Sequence, residues 1–108
     1  CLAGKVLDAI VDLRVGSPAY QKFETFELSA GLGNMLYIAP GVAHGFYTLT
    51  DEAIMQYKVT TVYTPEHDGG IRWDSAGIPW PDFVPIISDR DCDFPSLANF
   101  DSPFHFKL

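Results

Sequence analysis

Residues 5–13, KVLDAIVDL, alternate so that Leu7, Ala9, Val11 and Leu13 share one face and Val6, Asp8, Ile10 and Asp12 the other. That period of two predicts a β-strand. An acid inside an apolar face needs a partner or water, so Asp8 reads either as an exposed or edge residue or as an acid facing a wet cavity. Residues 14–18, RVGSP, read as a turn or loop, and residues 23–29 alternate weakly as a second strand. Residues 30–34, AGLGN, form a glycine-rich connection; the lone GxG is too weak for a phosphate loop, because no helix-forming pattern follows. A short strand is expected over residues 35–39. Pro40-Gly41 then forces a turn. A strand over residues 45–50 and a hairpin tip at Asp51-Glu52 lead into the longest extended run, residues 53–63. It places Met55, Tyr57, Val59, Thr61 and Tyr63 on one face. At ~3.3 Å per residue, a straight strand would separate the two tyrosines by roughly 20 Å.

Residues 64–70, TPEHDGG, read as a polar loop, and residues 71–80 as an aromatic segment broken by Gly77 and Pro79. The prolines of residues 81–85 argue against a central strand there. Residues 88–92, SDRDC, predict a helical turn with Ser88 as N-cap and acids in the first turn. From Leu97 onward, three phenylalanines and Pro103 mark a tail that packs on something. No segment sustains a 3.6-residue period. Short strands with Gly/Pro punctuation indicate an all-β sandwich or barrel. With neither repeat nor linker in view, residues 1–108 are expected to form one domain, with a ligand site at the barrel mouth. The chain opens Cys1-Leu2 and runs straight into strand-like sequence, so a further N-terminal segment is expected.

The net charge of −7 provides no general field for polyanions, which excludes duplex nucleic acid as an expected partner. A small anionic ligand would need local Lys, Arg or backbone N–H groups. No apolar run approaches a membrane span, and no signal-peptide pattern opens the chain. Cys1 and Cys92, far apart in a cytosol-like composition, read as two thiols. His44, His67 and His105 lack metal-ligand spacing, so no metal is expected. His44 follows the Pro40-Gly41 turn; it reads equally as a turn histidine bonded to backbone and as a ligand-facing donor. A nucleophile elbow is absent from the sequence. Asp89 and Asp91 flank Arg90, the pattern of a solvated surface but also of a carboxylate that orients an imidazole. On pattern alone Tyr57 reads as a core residue.

The blocks VDLRVGSP, ELSA, IAPGVAHGF, YKVTTVYTPEHDGGIRW and IPWP…PIISDRD, in this order, closely resemble dTDP-4-dehydrorhamnose 3,5-epimerases. The resemblance runs from Gly4 to about Asp91. It implies a cupin-type jelly roll, N-terminally incomplete here, and a cytoplasmic homodimer that works without metal or cofactor. The implied substrate is dTDP-4-dehydro-6-deoxy-D-glucose. Its C4 ketone acidifies C3–H and C5–H, so a base can form an enolate and an acid can return the proton to the opposite face. Carried over by motif, Tyr57 resembles the acid, and Asp91 the aspartate that orients the base histidine. Tyr63 resembles the tyrosine that stacks on thymine, and His44 a contact to the sugar or diphosphate. Asp68 and Arg90 resemble further nucleotide-sugar contacts, with Arg90 a local cation in an acidic chain. Asp8 stands where the family keeps an inward acid. The family's base histidine belongs to an RGLH-like segment, with a phosphate-binding arginine and a lysine also upstream. His67 and His105 do not stand in that block. The resemblance therefore implies a fragment that supplies the acid but not the base and is inactive alone. Two other readings fit the same residues: a cupin that binds a nucleotide sugar without converting it, and an enzyme of related chemistry, either an epimerase acting at one carbon or a ketoisomerase.

Overall fold

The computed structural model describes all 108 residues. Three strands form an antiparallel sheet: β1 (Lys5–Asp12), β2 (Phe23–Ser29) and β3 (Val42–Thr48), in the order β2-β1-β3. β1 is central because it is apolar on both faces. Val6, Ala9 and Val11 are all buried, whichever way they point. Asp8 lies opposite Phe26 on one side and Phe46 on the other, so it is not the edge residue that its charge could have indicated.

The turn from β1 to β2 is organised by Asp12. Its carboxylate accepts from the backbone N–H of Arg14, from both ends of the Arg14 guanidinium at 2.9 and 2.8 Å, and from Ser17 Oγ at 2.6 Å. The Arg14 contact, above all, holds Asp12 well below the usual carboxylate range, although burial opposes it. The crossover to β3 ends at Gly41, whose φ of 86° suits glycine. A Cβ there would stand 2.6 Å from Arg14 Cγ, so the turn and the Asp12 clip fit together only with glycine.

Val11, Leu13 and Leu97 form the buried cluster, with Ala43, Ile71, Ile78 and Phe100 packed around it. The expected tail is therefore part of the core. It continues past Leu97 to lie beside β1: Val15 bridges His105 in parallel, donates to Phe104 O and accepts from Phe106 N. Ser102 Oγ donates to Leu13 O. The Arg14 guanidinium sits 5.1 Å from the centre of the Phe106 ring.

Three expectations need correction. β3 begins at Val42 rather than residue 45, because Val42, Ala43 and His44 find partners in Asp12, Val11 and Ile10. Residues 35–39 form no strand, and Met35 is 90 % exposed. Residues 53–63 do not pair with β3 as a hairpin. Only Ile54 is tied, through a bridge to Ala3, and residues 55–63 make no backbone–backbone hydrogen bond. A period-two pattern supplies one face of a strand, but a ladder also needs a neighbour with free N–H and C=O groups. β1 has both edges occupied, and the outer edge of β3 takes no bond from residues 55–63. No helix is long and apolar enough to cross a membrane.

Candidate functional site

Alternation along β3 decides which side chains meet the open side of the sheet. His44 lies opposite Ile10 in the ladder, so it projects to the same face as Asp8, two residues away along β1. The two side chains meet: His44 Nδ1 lies 3.4 Å from Asp8 Oδ2. Asp8 is only 2 % exposed, and its Oδ1 has no hydrogen-bond partner. The neighbouring carboxylate raises the His44 pKa above its ordinary 6.5, against the opposing effect of burial. His44 is thus a strand residue bonded to a side chain, not a turn histidine bonded to backbone.

Tyr57 approaches His44 edge-on, with ring centres 6.3 Å apart and planes at 80°. It is 67 % exposed, which overturns the pattern-based assignment to the core. Its ring stands over the β3 face because Ile54 is pinned to Ala3 beside the sheet. The residues after Ile54 continue across without joining the sheet.

Around this pair opens a cleft of about 750 Å³. His44, Tyr57, Tyr63, Asp68, Arg90 and Asp91 all line it, so six of the seven candidate residues converge. Asp8 lies behind His44 rather than on the wall. Arg90 and Asp91 belong to α1 (Asp89–Cys92), the helical turn that Ser88 caps by accepting from the Asp91 N–H. Asp68 follows the 3-10 turn Pro65–His67. The two elements are joined by a fork: Arg90 donates to Asp68 through Nε at 2.5 Å and Nη2 at 2.8 Å, and to Asp91 through Nη1 at 2.9 Å. The fork raises the Arg90 pKa and lowers that of Asp68. Arg90 is thus a local cation already paired with two carboxylates. An anionic ligand must share it with two carboxylates.

The aromatic walls were missed as site residues. Phe46, Trp73, Trp80 and Phe94 line the cleft. Trp80 Nε1 donates to Trp73 O at 2.8 Å, which folds the 71–80 segment back on itself. Arg90 stacks over Phe94, 5.0 Å from the ring centre. Gly70 makes room for that ring, since a Cβ there would come within 2.7 Å of it. The available signal was the density of aromatic residues between Ile71 and Phe94, together with Gly69-Gly70 before it. Such a cleft offers flat apolar walls for a ring and a few charged groups for orientation. At one end a phenol faces an imidazole whose pKa is raised, a pair suited to proton transfer.

Comparison with known proteins identifies relatives in both sequence and fold. A dTDP-4-dehydrorhamnose 3,5-epimerase from Sinorhizobium fredii is 41 % identical over 109 residues, covering 98 % of this chain and 56 % of its own length. The solved RmlC from Legionella pneumophila, a dTDP-6-deoxy-D-glucose-3,5-epimerase in complex with dTDP-4-keto-L-rhamnose, superposes with a TM-score of 0.86 at 31 % identity. The match covers 98 % of this chain and 60 % of that one. ChmJ, a 3'-monoepimerase from Streptomyces bikiniensis in complex with dTDP-quinovose, gives 0.85 at 35 % identity, over 91 % of this chain and 51 % of its own. The chain thus spans between half and two thirds of the length of these relatives. Its sheet is part of their all-β, cupin-type fold. The model of the dTDP-4-dehydrorhamnose 3,5-epimerase family matches residues 1–99, and the chain belongs to that family.

Proposed function

We propose that the complete protein converts dTDP-4-dehydro-6-deoxy-D-glucose to dTDP-4-dehydro-L-rhamnose by epimerisation at C3 and C5, and that residues 1–108 form part of a single cupin domain. The observation that carries this reading is Tyr57 edge-on to the Asp8–His44 pair, in a cleft that also holds the Asp68–Arg90–Asp91 group. A base takes the proton from C3 or C5, the electron pair delocalises into the C4 carbonyl as an enolate, and Tyr57 returns a proton from its phenol to the opposite face. His44, whose protonated form Asp8 favours, donates to a sugar oxygen and stabilises the developing negative charge. Asp91 orients the base histidine, which we assign to the family's RGLH-like segment; residues 1–108 contain no such segment. Tyr63 and the aromatic wall take the thymine. Arg90 and Asp68 contact the nucleotide. We place the working protein in the cytoplasm as a homodimer.

Solvent-deuterium wash-in, followed by NMR on the full-length protein, tests the reading. Exchange at both C3 and C5 is expected, and exchange at neither would refute it. The likeness to the monoepimerase ChmJ favours a second reading, with exchange at C3 alone. Saturable dTDP binding without exchange would instead indicate a binding-only cupin. The 108-residue chain by itself is expected to show no turnover, because the base is not among its residues.

A further inference from the structure

The hydrogen bonds of Arg90 all run along the edge of its guanidinium. Asp68 takes two of them and Asp91 one. A guanidinium carries five N–H donors, so two remain for a ligand. Where those two point depends on the plane of the group, and contacts at the edge leave a plane free to tilt. What meets its face is the ring of Phe94, with 5.0 Å between the guanidinium carbon and the ring centre. Such a contact draws the cation onto the ring and favours one orientation.

The ring is itself held from three directions. Asp93, just before it, closes α1 by donating from its backbone N–H to the carbonyls of Asp89 and Arg90. Pro95, just after it, accepts from the Arg72 N–H at 2.8 Å. Gly70 leaves the recess that the ring fills, since a Cβ there would stand 2.7, 2.9 and 3.1 Å from three of its carbons. The backbone of Gly70 lacks the positive φ that favours glycine, so the missing side chain serves the ring and not a turn. We propose that Phe94 is a positioning residue: seated against Gly70, it fixes the guanidinium plane of Arg90 and so aims the two remaining N–H groups at the anionic part of a nucleotide in the cleft. The inference rests on the contact between Arg90 and the nucleotide proposed above.

The test uses the full-length protein and two variants that disturb the ring differently. Gly70→Ala adds a methyl group against it, and Phe94→Leu keeps an apolar side chain without a π face. Phe94→Tyr restores the face. Calorimetry with dTDP should show roughly two- to fivefold weaker binding for Gly70→Ala and Phe94→Leu, and near-parental binding for Phe94→Tyr. In an Arg90→Gln background, which itself weakens binding, Phe94→Leu should cost nothing further, because the group it positions is gone. A second readout needs no ligand. Arg90 holds the Asp68 pKa below its ordinary 3.8, so an NMR titration of Asp68 should move up toward that value in both disturbed variants and not in Phe94→Tyr. Three outcomes would overturn the proposal. One is an unchanged Asp68 titration in both Gly70→Ala and Phe94→Leu. Another is an equal loss of dTDP affinity from Phe94→Leu with and without Arg90, which would mean that the ring touches the ligand or supports the fold directly. The last is parental dTDP affinity in Arg90→Gln. Absence of deuterium exchange at C3 and C5 would refute the proposed reaction while leaving these readouts intact.

Discussion

At the residue scale, the pair of Asp8 and His44 sets the electrostatics of the site. The carboxylate raises the His44 pKa, so the imidazole should titrate above 6.5. An NMR titration of its ring protons checks this, and Asp8→Asn should move the midpoint down. The sign for stability follows. The stabilisation from this pair is fully present below about 6.5, the unfolded value, and is lost as pH rises through the raised folded value. Tyr57→Phe in the full-length enzyme removes the proposed acid. It should lower kcat by roughly 10²–10⁴ while dTDP affinity, read by calorimetry, stays near that of the parent. Of these residues, the sequence showed Asp8 as an anomaly on an apolar face but could not decide between edge and cavity. That choice rests on β1 lying between two other strands, which is a property of the sheet. Tyr57 was misread by pattern because a tyrosine in an alternating run looks alike whether or not anything covers it.

At the element scale, short pieces position the charged groups. α1 has four residues, too few to be stable by propensity. Its geometry depends on the Ser88 cap and on the Arg90–Asp68 fork. Ser88→Ala should cost about 1 kcal/mol of local stability, seen as faster amide exchange at Asp91 and weaker dTDP binding. This element could be read in advance, because a Ser followed by acids is a local signal. The Asp12 clip was not read in advance: its bonds lie within residues 12–17, but the packing of Gly41 and Phe106 around Arg14 comes from distant sequence. Its stabilisation is present above the ordinary carboxylate value of 3.8 and is lost only as pH falls through the depressed one. Asp12→Asn should therefore lower the urea midpoint at neutral pH, and the gap from the parent should close in strong acid.

At the scale of the molecule, six buried hydrophobic residues face eighteen large exposed ones. A core that small leaves little margin over the entropy of ordering 108 residues. The isolated chain is thus expected to bind the dye ANS and to melt broadly, below the roughly 45–65 °C usual for mesophile domains. A sharp transition above that range without dye binding would contradict the expectation. Fold class was readable from strand punctuation, whereas the extent of the sheet was not, since pairing depends on which partners are present. One further consequence comes from the tail beside Val15. Ser102 and His105 complete the surroundings of Leu13 and Val15, about ninety positions earlier in the chain. During synthesis, β1 must wait for residues 102–106 to leave the ribosome before its own end is covered. A ribosome stalled before that point would hold out a nascent chain with Leu13 still uncovered, open to chaperones and proteases.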